Sequence, residues 1–238
     1  MESTYTQFTT LEQQIEACQK CPRLVEYRSE VARVKRRAFR DEPYWGKPVP
    51  GFGDEAARVL IVGLAPGAHG YNRTGRMFTG DDSGKFLYGA LYRAGFANQS
   101  TGINRDDGLQ LKDIFITAVG RCAPPENKPL GSELINCRPY LLREMDLLTN
   151  LCGVVALGKI AYDAMSGILR ERGYVIPSVN FGHGTFSQSN EGCMWLLGSY
   201  HPSRQNTQTG RLTVEMFDAI WNKVRVLLEG FDQQSTFV

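Results

Sequence analysis

The fold can be recognised first from one run of residues, Arg58-Val59-Leu60-Ile61-Val62-Gly63-Leu64-Ala65-Pro66-Gly67. Its apolar residues follow one another without polar alternation, and a loop of small residues comes directly after them. A continuous apolar run is typical of a strand buried on both faces of a parallel sheet. Small residues let the backbone approach a ligand closely at the carboxyl end of such a strand. The stretch therefore predicts an α/β domain with a binding site at this loop.

Three more segments have the character of buried strands, namely residues 113–119, 153–158 and 194–200. Each is short, mainly apolar and bounded by glycine, proline or charge. Helical patterns lie between the strands, and we expect Ser83 and Ser132 to cap two of these helices. The alternation of strands and helices is the pattern of a sheet covered by helices on both faces.

The clearest helical pattern closes the chain. Apolar residues recur at three- and four-residue steps from Val214 to Leu228, and Gly230 follows them. An opening helix is predicted around Leu11. Together these patterns predict a single three-layer α/β/α domain over residues 1–238, with a central, mainly parallel four-stranded sheet.

The composition excludes several classes of protein. The chain has 238 residues, 42% of them hydrophobic, and a formal net charge of +2. This charge is not that of a histone-like binder, and no apolar stretch reaches the ~18 residues of a membrane-spanning helix. The N-terminal sequence lacks the basic and apolar regions of a signal peptide. We therefore expect an intracellular, cytoplasmic protein whose thiols stay reduced.

Four of the six cysteines form two pairs. Cys18 and Cys21 have C-x-x-C spacing, and Cys122 and Cys137 lie about a hundred residues later, beside proline and basic residues. Four thiolates can hold a 4Fe-4S cluster or a structural zinc ion, and the spacing leaves both open. Either would join the start of the chain to its middle. Two further cysteines lie in apolar runs and are predicted to be small buried hydrophobic residues: Cys152 and Cys193.

Three of the predicted strands end in residues that can carry chemistry: Ala65-Pro66-Gly67, Gly120-Arg121-Cys122 and His201-Pro202-Ser203. The carboxyl ends of parallel strands meet at one edge of a sheet, so one site is predicted there. His201 is either a structural histidine or a catalytic one. The acidic pair Asp81-Asp82 either caps the following helix or supplies a catalytic carboxylate, and one residue can do both.

Three motifs follow one another along most of the chain: residues 63–67 with 80–84, the four paired cysteines with 122–125, and residues 201–203 with 206–213. Together they resemble the uracil-DNA glycosylase superfamily, most closely its family 5, the type-b enzymes. Leu64 departs from several related families, which carry at that position a polar residue that handles water. Family 5 is similar in lacking that polar residue.

The resemblance implies an enzyme that flips uracil, and other deaminated or damaged bases, out of DNA. It would hydrolyse the N-glycosidic bond and leave an abasic site. His201 would donate a hydrogen bond to the departing base anion. Asp81, or its neighbour Asp82, would stabilise the sugar cation or position water.

The same resemblance implies a pocket for the base formed by Leu64, Ala65, Phe78 and Asn127. Phe78 would stack on the flipped base, with backbone from Leu64 and Ala65 supporting the pocket. Asn127 has a second interpretation, as an ordinary turn asparagine before a lysine and a proline.

Four arginines are candidate DNA contacts: Arg73, Arg76, Arg204 and Arg211. The first two lie in the loop after the first strand, and the last two lie in the segment that follows the late histidine. Residues 204–206 are expected to enter the duplex and fill the gap left by the flipped base. The predicted partner is therefore DNA containing uracil or other deaminated bases, and we expect a monomer.

Two functions of other classes stay open at this point. One is a non-catalytic Fe-S module that binds DNA. The other is a zinc-stabilised hydrolase that acts on a small nucleoside. The intact His201-Pro202-Ser203 motif favours an active glycosylase over the first of these.

Overall fold

The structure of this protein is a computed structural model that describes residues 4–190 and 193–235. Within these residues one mixed sheet is built from six strands: β1 (Phe52–Gly53), β2 (Val59–Gly63), β3 (Ile114–Ala118), β4 (Gly153–Leu157), β5 (Phe186–Gln188) and β6 (Trp195–Ser199). Their order across the sheet is β1-β3-β2-β4-β6-β5. β3 and β4 thus lie on opposite sides of β2, and the chain crosses from one side of β2 to the other between them.

The four central strands run parallel and correspond to the four predicted from the sequence. Val59 of β2 pairs with Ile114 of β3 on one side and with Gly153 of β4 on the other. Every residue of these four strands is buried, which agrees with their continuous apolar sequence. The predicted three-layer, mainly parallel α/β fold is confirmed.

The prediction of four strands was too low, because both edges of the described sheet carry a short antiparallel strand. β1 has two residues and pairs with β3, and β5 has three residues and pairs with β6. Strands this short give no apolar run or alternation that is long enough to be recognised. Tertiary pairing at the sheet edge, rather than local sequence, forms them.

The described helices are α1 (Thr4–Glu16), α2 (Pro22–Val34), α3 (Tyr71–Thr74), α4 (Asp82–Arg93), α5 (Gly131–Leu147), α6 (Lys159–Glu171), α7 (Arg204–Gln208) and α8 (Val214–Ser235). None of them is long and apolar enough to cross a membrane. Although α6 is strongly amphipathic, it was not among the helices predicted from the sequence.

Neighbouring residues of one strand face opposite layers of helices. Val59 and Ile61 of β2 pack in a core that includes side chains of α4 and α8. Leu60 and Val62 pack in a second core with α1, α5 and α6. Because successive strand side chains point to opposite faces, a strand between two helical layers must be apolar throughout.

The ends of three helices differ from the predictions. Asp81, not Ser83, caps α4, and its Oδ1 accepts a hydrogen bond from the Gly84 amide at 2.9 Å. Helix α5 begins one residue before Ser132 and follows Leu130, whose amide donates to the Glu133 carboxylate at 2.7 Å. The last helix continues past the predicted end at Gly230 to Ser235. In each case more than one residue could serve at the helix end, and the tertiary structure selects among them.

Candidate active site

A cleft of about 1420 Å³ opens where the parallel strands end. Leu64 follows β2, Asn127 lies beyond β3, and His201 follows β6, and all three line this cleft. Seven of the predicted site residues are brought together here: Leu64, Ala65, Arg73, Asp81, Asn127, His201 and Arg204. The prediction of one site at the carboxyl edge of the sheet is therefore met by the geometry.

His201 presents a neutral imidazole to the cleft. Its ring stacks on Phe78, with centroids 5.7 Å apart and planes inclined by 30°. Burial lowers the pKa of His201 to about 4. At neutral pH the ring can therefore donate an N–H hydrogen bond without carrying a charge. The carbonyl of His201 also accepts from the Asn206 side chain at 2.9 Å, which fixes the backbone on which the ring is carried.

Phe78 packs against the ring of His201. It is only 1% exposed, and its ring lies between those of His201 and Tyr71, the latter at 5.1 Å. Its φ of +51° is unusual for a residue other than glycine, and such strain is concentrated at functional sites. Gly84 allows this conformation, because a Cβ there would lie 1.8 Å from the Phe78 carbonyl oxygen. In this structure Phe78 thus stacks on the histidine, and not on an open cavity for a base.

Asp81 lies in the cleft with its carboxylate closely surrounded by neighbouring residues. Burial raises its pKa to about 6, against hydrogen bonds from the Gly84 and Ser83 backbone. A Cβ on Gly70 would lie 2.4 Å from Asp81 Oδ2, so the glycine makes room for this carboxylate. Asp82, by contrast, is exposed and lies near Lys85 at 3.8 Å. The two acidic residues that the sequence left equivalent therefore have different environments.

Asn127 lies on the exposed rim of the cleft, in a 3-10 turn formed by Pro125–Asn127. Both Asn127 and Glu126 have positive φ, at 58° and 54°. Two consecutive residues in this conformation are costly for side chains other than glycine. The turn therefore places Asn127 at the rim, and its positive φ agrees with the interpretation as a turn asparagine.

Comparison with known proteins identifies the family. The model of the uracil DNA glycosylase superfamily matches residues 50–225, most of the chain. The chain belongs to the uracil DNA glycosylase superfamily. The matched region includes β2, the acidic pair, and the His201 segment.

Relatives in this superfamily agree with the resemblance to type-5 members. The chain is 52% identical over 219 residues to the type-5 uracil-DNA glycosylase of Mycobacterium leprae, covering 91% of this chain and 94% of that protein. It is 52% identical over 205 residues to the Thermus thermophilus type-5 enzyme, covering 86% and 91%. A type-4 uracil-DNA glycosylase of Pyrobaculum aerophilum is 32% identical over 163 residues, covering 68% and 66%. The family recognised from the motifs is confirmed.

Two of the four candidate DNA-binding arginines are engaged inside this glycosylase fold. Arg76 is 3% exposed and forms a bidentate ion pair with Asp107, with both N–O distances 2.7 Å. Arg73 donates to Glu42, to the His69 carbonyl and to the Gly80 carbonyl. Both guanidinium groups therefore brace loops around the cleft. Arg76 is buried, whereas Arg73 lines the cleft and stays partly exposed.

Arg204 and Arg211 are exposed, unlike the first two arginines. Ser203 caps α7, so Arg204 is the first residue of that short helix and lines the cleft. The Arg211 guanidinium lies over the Tyr200 ring at 4.7 Å, beside the residue that precedes His201. Both cations thus lie near His201 while remaining open to solvent.

The four paired cysteines are neighbours in space. Burial raises the pKa of Cys122 to about 12, Arg28 acts to lower it, and Cys137, Cys18 and Cys21 act to raise it further. Cys122 and Cys137 are buried, and the other two are half-buried. Across residues 4–190 and 193–235, however, no three His, Cys, Asp or Glu side chains are arranged as a metal-binding group.

Buried cations accompany these thiols. Nε of Arg28 and both Nε and Nη1 of Arg121 are buried without a hydrogen-bond partner in the described part of the chain. The third nitrogen of Arg121, Nη2, donates to Glu144 at 2.6 Å. Unpaired buried donors next to four thiols suit an anionic thiolate-bound group, whose sulfur atoms can accept hydrogen bonds. The donor set therefore fits a thiolate-ligated cluster.

Sequence reasoning missed two residues of the cleft wall, Tyr44 and His69. The Tyr44 hydroxyl and His69 Nδ1 lie 2.9 Å apart, and both residues line the cleft. Burial lowers the pKa of His69, with smaller contributions from Arg36 and Arg73. For Tyr44 the available signal was the aromatic content of the Pro/Gly-rich segment 38–53, and for His69 it was the position in the loop after the first predicted strand.

Proposed function

We propose that this protein is a DNA repair glycosylase that excises uracil from DNA and leaves an abasic site. The observation that carries the proposal is the pairing, in one cleft, of a neutral His201 with a half-buried Asp81 carboxylate. The type-5 uracil-DNA glycosylases that match most of the chain support it. Excision of other deaminated bases is part of the same proposal and rests on the family resemblance.

His201 stabilises the departing base in this mechanism. Breaking the C1′–N1 bond leaves negative charge on the pyrimidine, shared by its carbonyl oxygens. A neutral imidazole N–H donates a hydrogen bond to one of these oxygens, and this hydrogen bond becomes stronger as the negative charge develops. The low pKa of His201 supports this role, because the donor needs no proton from solution.

Asp81 acts on the sugar side of the same bond. Loss of the base puts positive charge on the deoxyribose, which a nearby carboxylate stabilises. With a pKa of about 6, Asp81 is roughly nine-tenths ionised at pH 7. The carboxylate also accepts a proton from the attacking water as the new C–O bond forms. Leu64 offers no such group, which leaves this work to Asp81.

The remaining site residues hold the substrate. Leu64 and Ala65 provide backbone at the base pocket, Asn127 provides an amide at its rim, and Phe78 holds the His201 ring at the pocket floor. A pocket that hydrogen-bonds the edge of uracil rejects cytosine because polar groups would be left unpaired.

DNA outside the pocket is held by phosphate contacts. Arg204 and Arg211 are the exposed cations beside His201 that support this proposal. The protein acts as a monomer on one flipped nucleotide, with residues 204–206 filling the gap in the duplex.

Cys18, Cys21, Cys122 and Cys137 hold a 4Fe-4S cluster in this proposal. Four soft thiolate donors near unpaired buried arginine N–H groups support it. When bound, the cluster joins the segment before α2 to the middle of the single domain and takes no part in breaking the bond.

Release of free uracil from a duplex oligonucleotide tests the proposed function directly. We expect the protein to release uracil from DNA, and not to hydrolyse free deoxyuridine at a comparable rate. Hydrolysis of deoxyuridine alone would instead favour a small-nucleoside hydrolase. Binding of the duplex without release would favour the non-catalytic DNA-binding module.

A further inference from the structure

The rim of the cleft carries an exposed apolar side chain that the proposed chemistry does not use. Ile103 is 66% exposed and lines the cleft that holds His201. Among the large, exposed hydrophobic side chains in the described part of the chain, Ile103 alone belongs to that lining. Scattered exposed apolar residues are ordinary, but this one is adjacent to the site where a base must leave its stack.

The segment that carries Ile103, here named the 102–107 loop, is rigidly held. Asp107 accepts backbone hydrogen bonds from Ile103 at 2.6 Å and from Asn104 at 3.3 Å. The same carboxylate forms the buried bidentate pair with Arg76. Gly102 is packed so closely that a Cβ there would lie 2.8 Å from the Tyr88 ring.

The 102–107 loop also contacts residues from two other segments. The Arg105 guanidinium lies over the Trp45 ring at 4.4 Å and pairs with Glu16 at 3.3 Å. The buried Arg76–Asp107 pair is an expensive way to hold a surface loop, because both charges are removed from water. A loop held by several such contacts is expected where an exposed side chain must keep its position when a ligand presses against it.

We propose that the 102–107 loop is a second DNA-contacting arm, with Ile103 as an apolar wedge against the base stack beside the flipped nucleotide. This inference rests on the proposed function. The occupant is duplex DNA because Ile103 shares a continuous cleft with His201 and the exposed Arg204. Apolar side chains inserted at base steps partly unstack them and thereby lower the cost of extruding a nucleotide.

The wedge predicts a difference between duplex and single-stranded substrates. Ile103→Ala should lower single-turnover release of uracil from a duplex about tenfold, since the unstacking contribution is lost. Release from the same strand without its complement should stay unchanged, because no paired stack has to be opened. Ile160→Ala is the matched control, since Ile160 is 47% exposed on α6 and lies outside the cleft lining. It should leave both rates unchanged.

A binding measurement separates this inference from the proposed function. A duplex with a stable abasic analogue and 2-aminopurine beside it should gain fluorescence when the unmodified protein binds, and this gain should be lost with Ile103→Ala. Equal losses of release on both substrates, or an unchanged duplex rate, would overturn the wedge. The wedge would also be overturned if the unmodified protein self-associated in sedimentation and Ile103→Ala did not, because Ile103 would then be a contact between copies of the chain. If the unmodified protein released no uracil from either substrate, the proposed function would fail, and the fluorescence result would still decide the wedge.

Discussion

The pKa of Asp81 gives a prediction about how excision depends on pH. With a pKa of about 6, the ionised fraction falls from about 91% at pH 7 to about 9% at pH 5. His201, with a pKa of about 4, remains about 90% neutral at pH 5. The single-turnover rate should therefore fall about tenfold between pH 7 and pH 5, and the fall belongs to Asp81. An ordinary aspartate would lose less than about a tenth of its ionised form over this range.

Asp81→Asn tests this assignment because it keeps the shape and the helix cap. The amide oxygen of asparagine can still accept from the Gly84 amide, as Asp81 does at 2.9 Å. We expect the rate at pH 7 to fall by ~10²–10³-fold, and the remaining activity to lose its dependence on pH between 5 and 7. Asp82→Asn is the control, since Asp82 is exposed. It should leave the rate at pH 7 unchanged and keep the dependence on pH, with the profile moved to lower pH because the charge of Asp82 contributes to the raised pKa of Asp81.

Stability should move in the opposite direction from activity. Burial raises the pKa of Asp81 above its value of 3.8, so folding favours the protonated carboxyl and the unfolding free energy falls as pH rises from about 4 to about 6. At pH 7 this carboxylate therefore lowers stability by up to roughly 3 kcal/mol. Asp81→Asn should be at least as resistant to urea as the unmodified protein at pH 7. A flat rate between pH 7 and pH 5, or full activity in Asp81→Asn, would refute the reasoning.

Three further outcomes can be checked on the same protein. His201→Ala should lower the single-turnover rate by ~10²–10³-fold, because the lost hydrogen bond acts in the transition state. DNA affinity, measured by fluorescence anisotropy, should change little. A near-normal rate would show that His201 has no part in the mechanism. Cys122→Ser should lose iron and broad visible absorption while Cys152→Ser keeps both, and zinc without iron in anaerobically purified protein would contradict the cluster. Arg204→Ala or Arg211→Ala should reduce the slope of log affinity against log salt by about 0.9 each, with uracil-to-cytosine selectivity preserved; altered selectivity would assign that arginine to the pocket.

Several features of the fold could be predicted because they depend on local sequence. The run Val59–Val62 is apolar at every position, and a strand between two helical layers requires this pattern. The edge strands β1 and β5 could not be predicted, because two or three residues carry no period. Their existence depends on strands that are distant in the chain.

The candidate site likewise has features that could be predicted from the sequence and features that could not. The positions of Leu64 and His201 after apolar strands were sufficient to predict one shared site, since parallel strands end at a common edge. Arg76 was predicted to contact a phosphate. Its actual partner, Asp107, lies 31 residues away and cannot be recognised from the local sequence. An arginine in a glycine-rich loop has the same local sequence whether it meets solvent or a buried carboxylate.

The chemical groups of this protein, its family and its layered fold are all readable from the sequence. How each group is used depends on the tertiary structure. Asp81 is half-buried and Asp82 is exposed, Phe78 packs against His201, and Ile103 is left uncovered at the cleft. The physical reason is that strand and helix patterns arise from neighbours along the chain, whereas burial, pKa and ion pairing depend on atoms brought together from distant segments.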